Sequence, residues 1–251
     1  MCILEWRAGS RGPLPWRDNH PRAEIAWLLM LTFVITTPAF LPHFDVPETR
    51  AAPRSALRMG LKDDGILGVG VIGAGRIGLV HLEALSACET TNCVIISNPT
   101  VAKAEAAAAL YKLPSFSGDS MDVINHPDVE AVWICSPSQY HADQIKACAA
   151  AGKHVFCEKP IAKDIPETIE AIKACNTAGV KLMTALQRRF DPNFARVKRA
   201  ITGGEVGDAL CIKLCSRDPA PPPFEYVKDG GGIFKDMAVH DLDVRLRVGP
   251  S

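Results

Sequence analysis

The chain has 251 residues, 47% hydrophobic and 22% charged, which is enough to bury a core in one or two domains. Its 28 Lys and Arg are matched by 28 Asp and Glu, so it has no cationic excess to neutralise phosphates and nothing favours a nucleic-acid partner. Nine cysteines are scattered without a CxxC pair or a Cys/His cluster of zinc spacing, which points to reduced thiols and no metal.

Residues 1–66 read as a presequence or disordered leader outside the fold. Arg7, Arg11, Arg17 and Arg22 precede an apolar run from Ile25 to Ile35 that ends near Pro38. The run is short for a membrane span and suits a signal-peptide core. Thr49 to Gly60 then carries Arg, Ala and Ser without an acid, as a transit peptide does. Between them, Thr37 to Pro42 (TPAFLP) resembles the Ala-Phe junction of bipartite plastid presequences. The expectation is a cleaved leader and a plastid location, with a cytoplasmic protein, mis-assigned upstream sequence or a membrane anchor as alternatives.

From Leu67 the pattern becomes regular. An apolar run, LGVGVIG, is followed by helical spacing from Arg76 to Ala87, a strand over Cys93–Ser97 and an Ala-rich helix over Val101–Tyr111. A strand over Ala131–Cys135, a helix over His141–Ala150 and a strand over His154–Cys157 follow. Short apolar strands alternating with helices predict an α/β fold with a parallel sheet covered on both faces. Beyond Pro160 the pattern predicts a helix over Pro166–Ala178, a strand over Lys181–Leu186, a helix over Phe194–Ile201, a strand over Ala209–Ser216 and a last helix near the end of the chain. The domains are read as a doubly wound Rossmann sheet over 67–186 and an incomplete α/β substrate and oligomerisation domain over 187–251. Pro219 to Pro223 is a stiff connector that cannot be a central strand.

GAGRIG places Gly73, Gly75 and Gly78 in GxGxxG register between a strand and a helix, with Arg76 and Ile77 inside the loop. Glycine serves there for a tight turn, for close approach to a pyrophosphate and for close helix packing, and the helix N-terminus faces the phosphate charge. The acid expected on the adenosine ribose about 20 residues later is replaced by Asn98 in Ser97-Asn98-Pro99. Asn98 can bond a ribose hydroxyl but cannot repel a 2′-phosphate. No Arg follows at once, although Lys103 is near, so NAD is preferred and NADP stays possible.

Lys159 follows the strand HVFC directly, at its carboxyl end, where open α/β sheets bind ligands. Its ammonium there could donate to the oxygen of an alcohol being oxidised. Ser136, Glu158 and Lys159 are assigned to the cofactor crevice with the glycine loop. Asp236 and His240 stand four residues apart and on a helix would share a face. An imidazole there suits a general base, and Asp236 could orient the hydroxyl or stabilise the protonated ring. Gly230 to Gly232 reads as the loop that places this helix.

GAGRIG, EKP, QRRFDPNF (Gln187 to Phe194), SRDPAPPP (Ser216 to Pro223) and GGGIFKDMAVHDLD (Gly230 to Asp243) occur in order. Over Leu67 to Asp243 the chain resembles the glucose-fructose oxidoreductase/inositol dehydrogenase/rhizopine-catabolism family, most closely its inositol 2-dehydrogenase branch. The resemblance implies that Lys159, Asp236 and His240 are catalytic and that Arg188 contacts substrate. It implies NAD(P)-dependent oxidation of a secondary alcohol of a cyclic polyol or sugar, with myo-inositol to 2-keto-inosose foremost, in a homo-oligomer without a lasting membrane association. VRLRVGPS does not read as the apolar helix expected after HDLD, and family members extend further. A truncated dehydrogenase is therefore weighed against a non-catalytic dinucleotide-binding or sensor protein and against a fragment completed by a partner.

Overall fold

The computed structural model describes residues 2–5, 65–207, 211–217 and 232–248. Two compact units divide the chain, one of residues 30–185 and the other of residues 1–29 with 186–251. The expectations for Arg7 to Gly60, for Pro219–Pro223 and for Gly230 and Gly231 lie outside the described residues.

In residues 30–185 six strands form a parallel sheet: β2 (Leu67–Ile72), β3 (Thr91–Ser97), β4 (Ser115–Ser117), β5 (Ala131–Ile134), β6 (His154–Cys157) and β7 (Leu182–Thr184). The spatial order is β4-β3-β2-β5-β6-β7. The chain moves outward from β2 to β4, crosses back to β5 and moves outward again, so a topological switch point lies between β2 and β5. All six residues of β2 and all four of β5 are buried, because helices cover both faces of a parallel sheet. The crossover helices are α1 (Arg76–Ser86), α2 (Val101–Tyr111), α3 (Ser120–Ile124), α4 (His141–Ala150) and α5 (Ile165–Ala178). One core cluster runs from Ile72, Ile95, Val132 and Ile134 to Ile145 on α4 and Ala171 on α5. A fully buried Val, Leu or Ile contributes about 1.5–3 kcal/mol.

The sequence reading misses β4 and α3. β4 is a three-residue edge strand, Ser-Phe-Ser, with no apolar run to mark it, and the five residues of α3 are too few to show a period. α3 starts at Asp119, whose carboxylate accepts from the Met121 amide at 2.8 Å. The strand expected over Lys181–Leu186 narrows to three half-buried residues.

In the other unit α6 (Pro192–Thr202) is capped by Asp191, whose carboxylate accepts from the Asn193 and Phe194 amides. β8 (Lys213–Ser216) begins after Cys211 and Ile212, inside the expected 209–216, of which 209 and 210 lie outside the described residues, and it pairs antiparallel with β1 (Cys2–Glu5). Cys2–Glu5 thus forms a ladder although it belongs to the stretch read as a leader. Near the end of the chain, a π-helical turn over Phe234–Ala238 leads into α7 (Val239–Val248). The helix runs on over VRLRV with Val244 4% exposed, and its exposed Leu246 and its Arg245 and Arg247 keep it from being the apolar helix a continued core would need; these Arg suit its negative C-terminal end.

Candidate cofactor and active site

Strand register builds one rim. Ile72 is level with Ser97 and with Ile134, and Ile134 is level with Cys157. The residues that follow these four therefore emerge at the same carboxyl edge. They include Gly73, Asn98, Ser136, Glu158 and Lys159, and backbone bonds hold three of the exits: Gly73 N to Ser97 O at 2.8 Å, Cys135 N to Ile72 O at 2.8 Å and Glu158 N to Ile134 O at 2.9 Å.

The glycine loop is shaped for a phosphate. Gly73 has φ +106°, a region that favours glycine, and a Cβ there would lie 2.6 Å from Cys135 O. A Cβ on Gly78 would lie 2.0 Å from Gly73 O, so α1 packs against the loop as only glycine permits. A Cβ on Gly75 would meet nothing within 4 Å, which leaves the backbone open on that side. Gly75 is also the N-cap of α1, and α1, like α2, has neither a side-chain cap nor an acid in its first turn, whereas α3, α5 and α6 are each capped by an aspartate. The first amides of α1 are left to an outside acceptor, and the helix end carries partial positive charge. These features fit the pyrophosphate of a dinucleotide; Arg76 is exposed and Ile77 half-buried on the first turn.

Asn98 does more than the sequence reading expected. Its Oδ1 accepts from Ala74 N at 3.1 Å and its Nδ2 donates to Thr100 O at 3.1 Å, so it pins the glycine loop to the end of β3. The amide keeps a second acceptor site and a second N–H for a ribose hydroxyl. Ser136 Oγ donates to Gln144 Oε1 at 2.6 Å, fixing the loop after β5 to α4.

Two buried histidines that sequence reasoning passed over organise this rim. His141 is 1% exposed, with Nδ1 2.6 Å from Pro160 O and Nε2 2.8 Å from Ser136 O, and so ties the loop after β5 to the loop after β6. His81, on α1, faces Glu158 with Nε2 2.8 Å from Oε1. The only sequence signal for His81 is a polar residue on the apolar stripe Gly78, Leu82, Leu85. Burial pushes the Cys135 and Cys157 thiols well up, so neither is a thiolate ready to attack or to bind a metal.

Lys159 is half-buried at the exit of β6, in the same unit as the glycine loop, and its amide donates to Glu158 Oε2 at 3.1 Å. Arg188, Asp236 and His240 belong to the other unit. Arg188 pairs with Asp241 and donates from Nη2 to Ser216 Oγ at 2.9 Å, so much of its guanidinium is engaged within the protein. Arg188 also borders a cavity of about 170 Å³ lined by Arg189, Lys198, Asp243 and Arg247. Arg189 is anchored by Nε to both carboxylate oxygens of Asp243, at 3.0 and 2.9 Å. Asp236 falls in the π-helical turn and His240, 8% exposed, lies on α7. The turn that carries Asp236 is π rather than α, and in either helix type residues four apart stay on one face, so the expectation that Asp236 and His240 share a face stands; such turns are frequent at functional sites.

A parallel sheet with an open, uncapped glycine loop at its switch point defines a dinucleotide-binding Rossmann domain. Residues 67–186 match the model described as an oxidoreductase family with NAD-binding Rossmann fold. Residues 67–186 thus carry the NAD-binding domain of that glucose-fructose oxidoreductase/inositol dehydrogenase/rhizopine-catabolism family. It is 41% identical over 175 residues to the inositol 2-dehydrogenase of Rhizobium meliloti, an alignment covering 70% of this chain and 52% of that protein. It is 38% identical over 176 residues to the myo-inositol 2-dehydrogenase of Thermotoga maritima, covering 70% and 53%. Among solved structures, the scyllo-inositol dehydrogenase of Lactobacillus casei with bound NAD(H) and scyllo-inositol superposes with a TM-score of 0.69 at 30% identity, covering 73% of this chain and 55% of that one. The chain thus spans about half the length of these relatives.

Proposed function

We propose that the chain carries the cofactor-binding half and the proton-transfer residues of an NAD-dependent polyol dehydrogenase, with oxidation of myo-inositol to its 2-keto product as the leading reaction. The observation that carries this reading is the shared rim: the open N-terminus of α1 at Gly75 and the exit of β6 toward Lys159 lie at the same carboxyl edge of the parallel sheet. The inositol dehydrogenases among its relatives support the substrate class.

In this mechanism the amides at the start of α1 bind the pyrophosphate, and Asn98 meets the adenosine ribose. Bound NAD supplies the acceptor for the hydride leaving the substrate carbon. Lys159 donates a hydrogen bond to the reacting hydroxyl oxygen and stabilises its growing negative charge. His240 takes the hydroxyl proton, and Asp236 orients the substrate. Loss of one hydride and one proton turns the CH–OH into a ketone. Asn98 without a following Arg favours NAD over NADP. A homo-oligomer and a plastid location are part of the same proposal, resting on the family resemblance and on the composition of residues 1–66.

The test is reduced-nicotinamide absorbance with myo-inositol and either NAD or NADP, beside a fluorescence titration of cofactor binding. His240→Ala should lower turnover by about 10²–10⁴-fold, the usual contribution of a general base, while leaving NAD affinity nearly unchanged. Equal loss of NAD affinity would remove His240 from its role as base.

A further inference from the structure

The geometry points to His81 as a positioning residue that sets the backbone of Lys159 relative to the phosphate-binding helix. The inference rests on the reading of Lys159 as the group that meets the substrate hydroxyl. His81 is 3% exposed on the buried stripe of α1, one turn beyond Gly78. Its Nε2 lies 2.8 Å from Glu158 Oε1, and since an ionised carboxylate only accepts, the ring nitrogen is the donor. The other carboxylate oxygen, Oε2, accepts from the Lys159 amide at 3.1 Å. Glu158 therefore bridges α1 to the residue that leaves β6.

The ring itself is held in place. Phe156 meets His81 edge to face, with centroids 5.1 Å apart, and stacks on Trp133 at 5.1 Å. A half-buried carboxylate with one oxygen on a fixed imidazole and the other on a backbone N–H has little freedom to rotate. The helix whose first turn faces the cofactor phosphates and the strand exit that carries Lys159 are thus set at one separation. Misplacement of a reacting group by about 1 Å can cost 10²-fold in rate, so this separation matters for turnover more than for cofactor affinity. The partner of this buried ring nitrogen is Glu158, the residue adjacent to Lys159.

The experiment compares the full chain with its H81F and H81Q variants. Phenylalanine keeps the ring packed on Phe156 and removes the donor, whereas glutamine restores an N–H at the Nε2 position. The first readout is hydrogen exchange at the Lys159 amide. Exchange should rise about tenfold or more in H81F, return to within about threefold of wild type in H81Q, and stay unchanged at Trp133 and Ile134 in β5 in both, as expected when a single hydrogen bond is lost and regained. The second readout is kcat against NAD affinity: H81F should lose about 10²-fold in kcat with the NAD Kd within about threefold, and H81Q should recover most of the rate. Unchanged Lys159 exchange in H81F, or an H81Q variant as impaired as H81F, would overturn the inference. The exchange readout is independent of turnover, so a wild-type chain that binds NAD and oxidises no polyol sinks the dehydrogenase reading without deciding the His81 link.

Discussion

Replacing Gly78 by Ala should separate the two jobs of the glycine loop. The added Cβ would stand 2.0 Å from the Gly73 carbonyl oxygen and 3.0 Å from its carbon, and both are backbone atoms that cannot swing away. Ordinary contact begins near 3.4 Å, so α1 and the loop must part by about 1.4 Å. Overpacking of this kind costs about 1–3 kcal/mol, and rigid partners place Gly78→Ala near the top of that range. For a domain of this size that corresponds to a fall in Tm of roughly 10 °C. Gly75→Ala is the matched control: its φ of −81° suits any residue, and its Cβ would meet nothing within 4 Å. It should keep the wild-type Tm while weakening NAD by about tenfold or more, because the methyl group occupies the space that a pyrophosphate needs. Thermal denaturation followed by circular dichroism and a fluorescence titration with NAD read the two effects separately. A Gly78→Ala variant as stable as wild type, or a Gly75→Ala variant that binds NAD as tightly as wild type, would refute the reasoning.

Three further outcomes are expected. Arg189→Ala leaves the Asp243 carboxylate, 7% exposed, without its Nε and Nη2 donors, and should cost about 2–3 kcal/mol in a urea titration; a change below about 0.5 kcal/mol would mean the pair is solvated in solution. The His154 pKa is lowered by burial first and then by Lys181, and its Nδ1 accepts from the Lys181 amide at 3.0 Å, which requires an unprotonated nitrogen. Below its ordinary value of 6.5 the unfolded chain takes up a proton that the folded chain resists. Stability should therefore fall as pH drops from above 6.5 to below it, and His154→Asn, which keeps an acceptor, should flatten that slope; equal slopes in wild type and variant would exclude His154 as the cause. Burial raises the thiols of Cys93 and Cys175 to about 11 and Cys148 to about 12, while Cys211 is exposed. A maleimide reagent should label Cys211 in the native protein and reach those three only in denaturant, and native labelling of Cys148 would contradict the packing of α4 on α5.

Much of the fold was legible because its signals are local. LGVGVI, AVWI and HVFC are runs that only a doubly covered sheet can bury, and the helices between them show period or caps. The site was legible in part. Glycine spacing between a strand and a helix marks the phosphate loop, and a lysine directly after a strand lies at the functional rim of any parallel sheet. The second role of Asn98 was not legible, because a side chain that braces Ala74 from 24 positions away leaves no local trace. The π turn at Phe234–Ala238 was equally hidden, since the spacing of Asp236 and His240 is the same whichever helix type carries them.

The sequence by itself determined the alternation of strands and helices, the glycine loop and the ordered motifs of the family, because each depends on neighbours within a few positions. Tertiary structure alone decided that Gly73, Asn98, Ser136, Glu158 and Lys159 share one rim, since that follows from strand register between distant segments. It also decided that His81 meets Glu158 across 77 positions of chain. Such contacts form only when burial of the sheet brings separate crossovers together, and the energy that fixes them belongs to the packed domain rather than to any one of its segments.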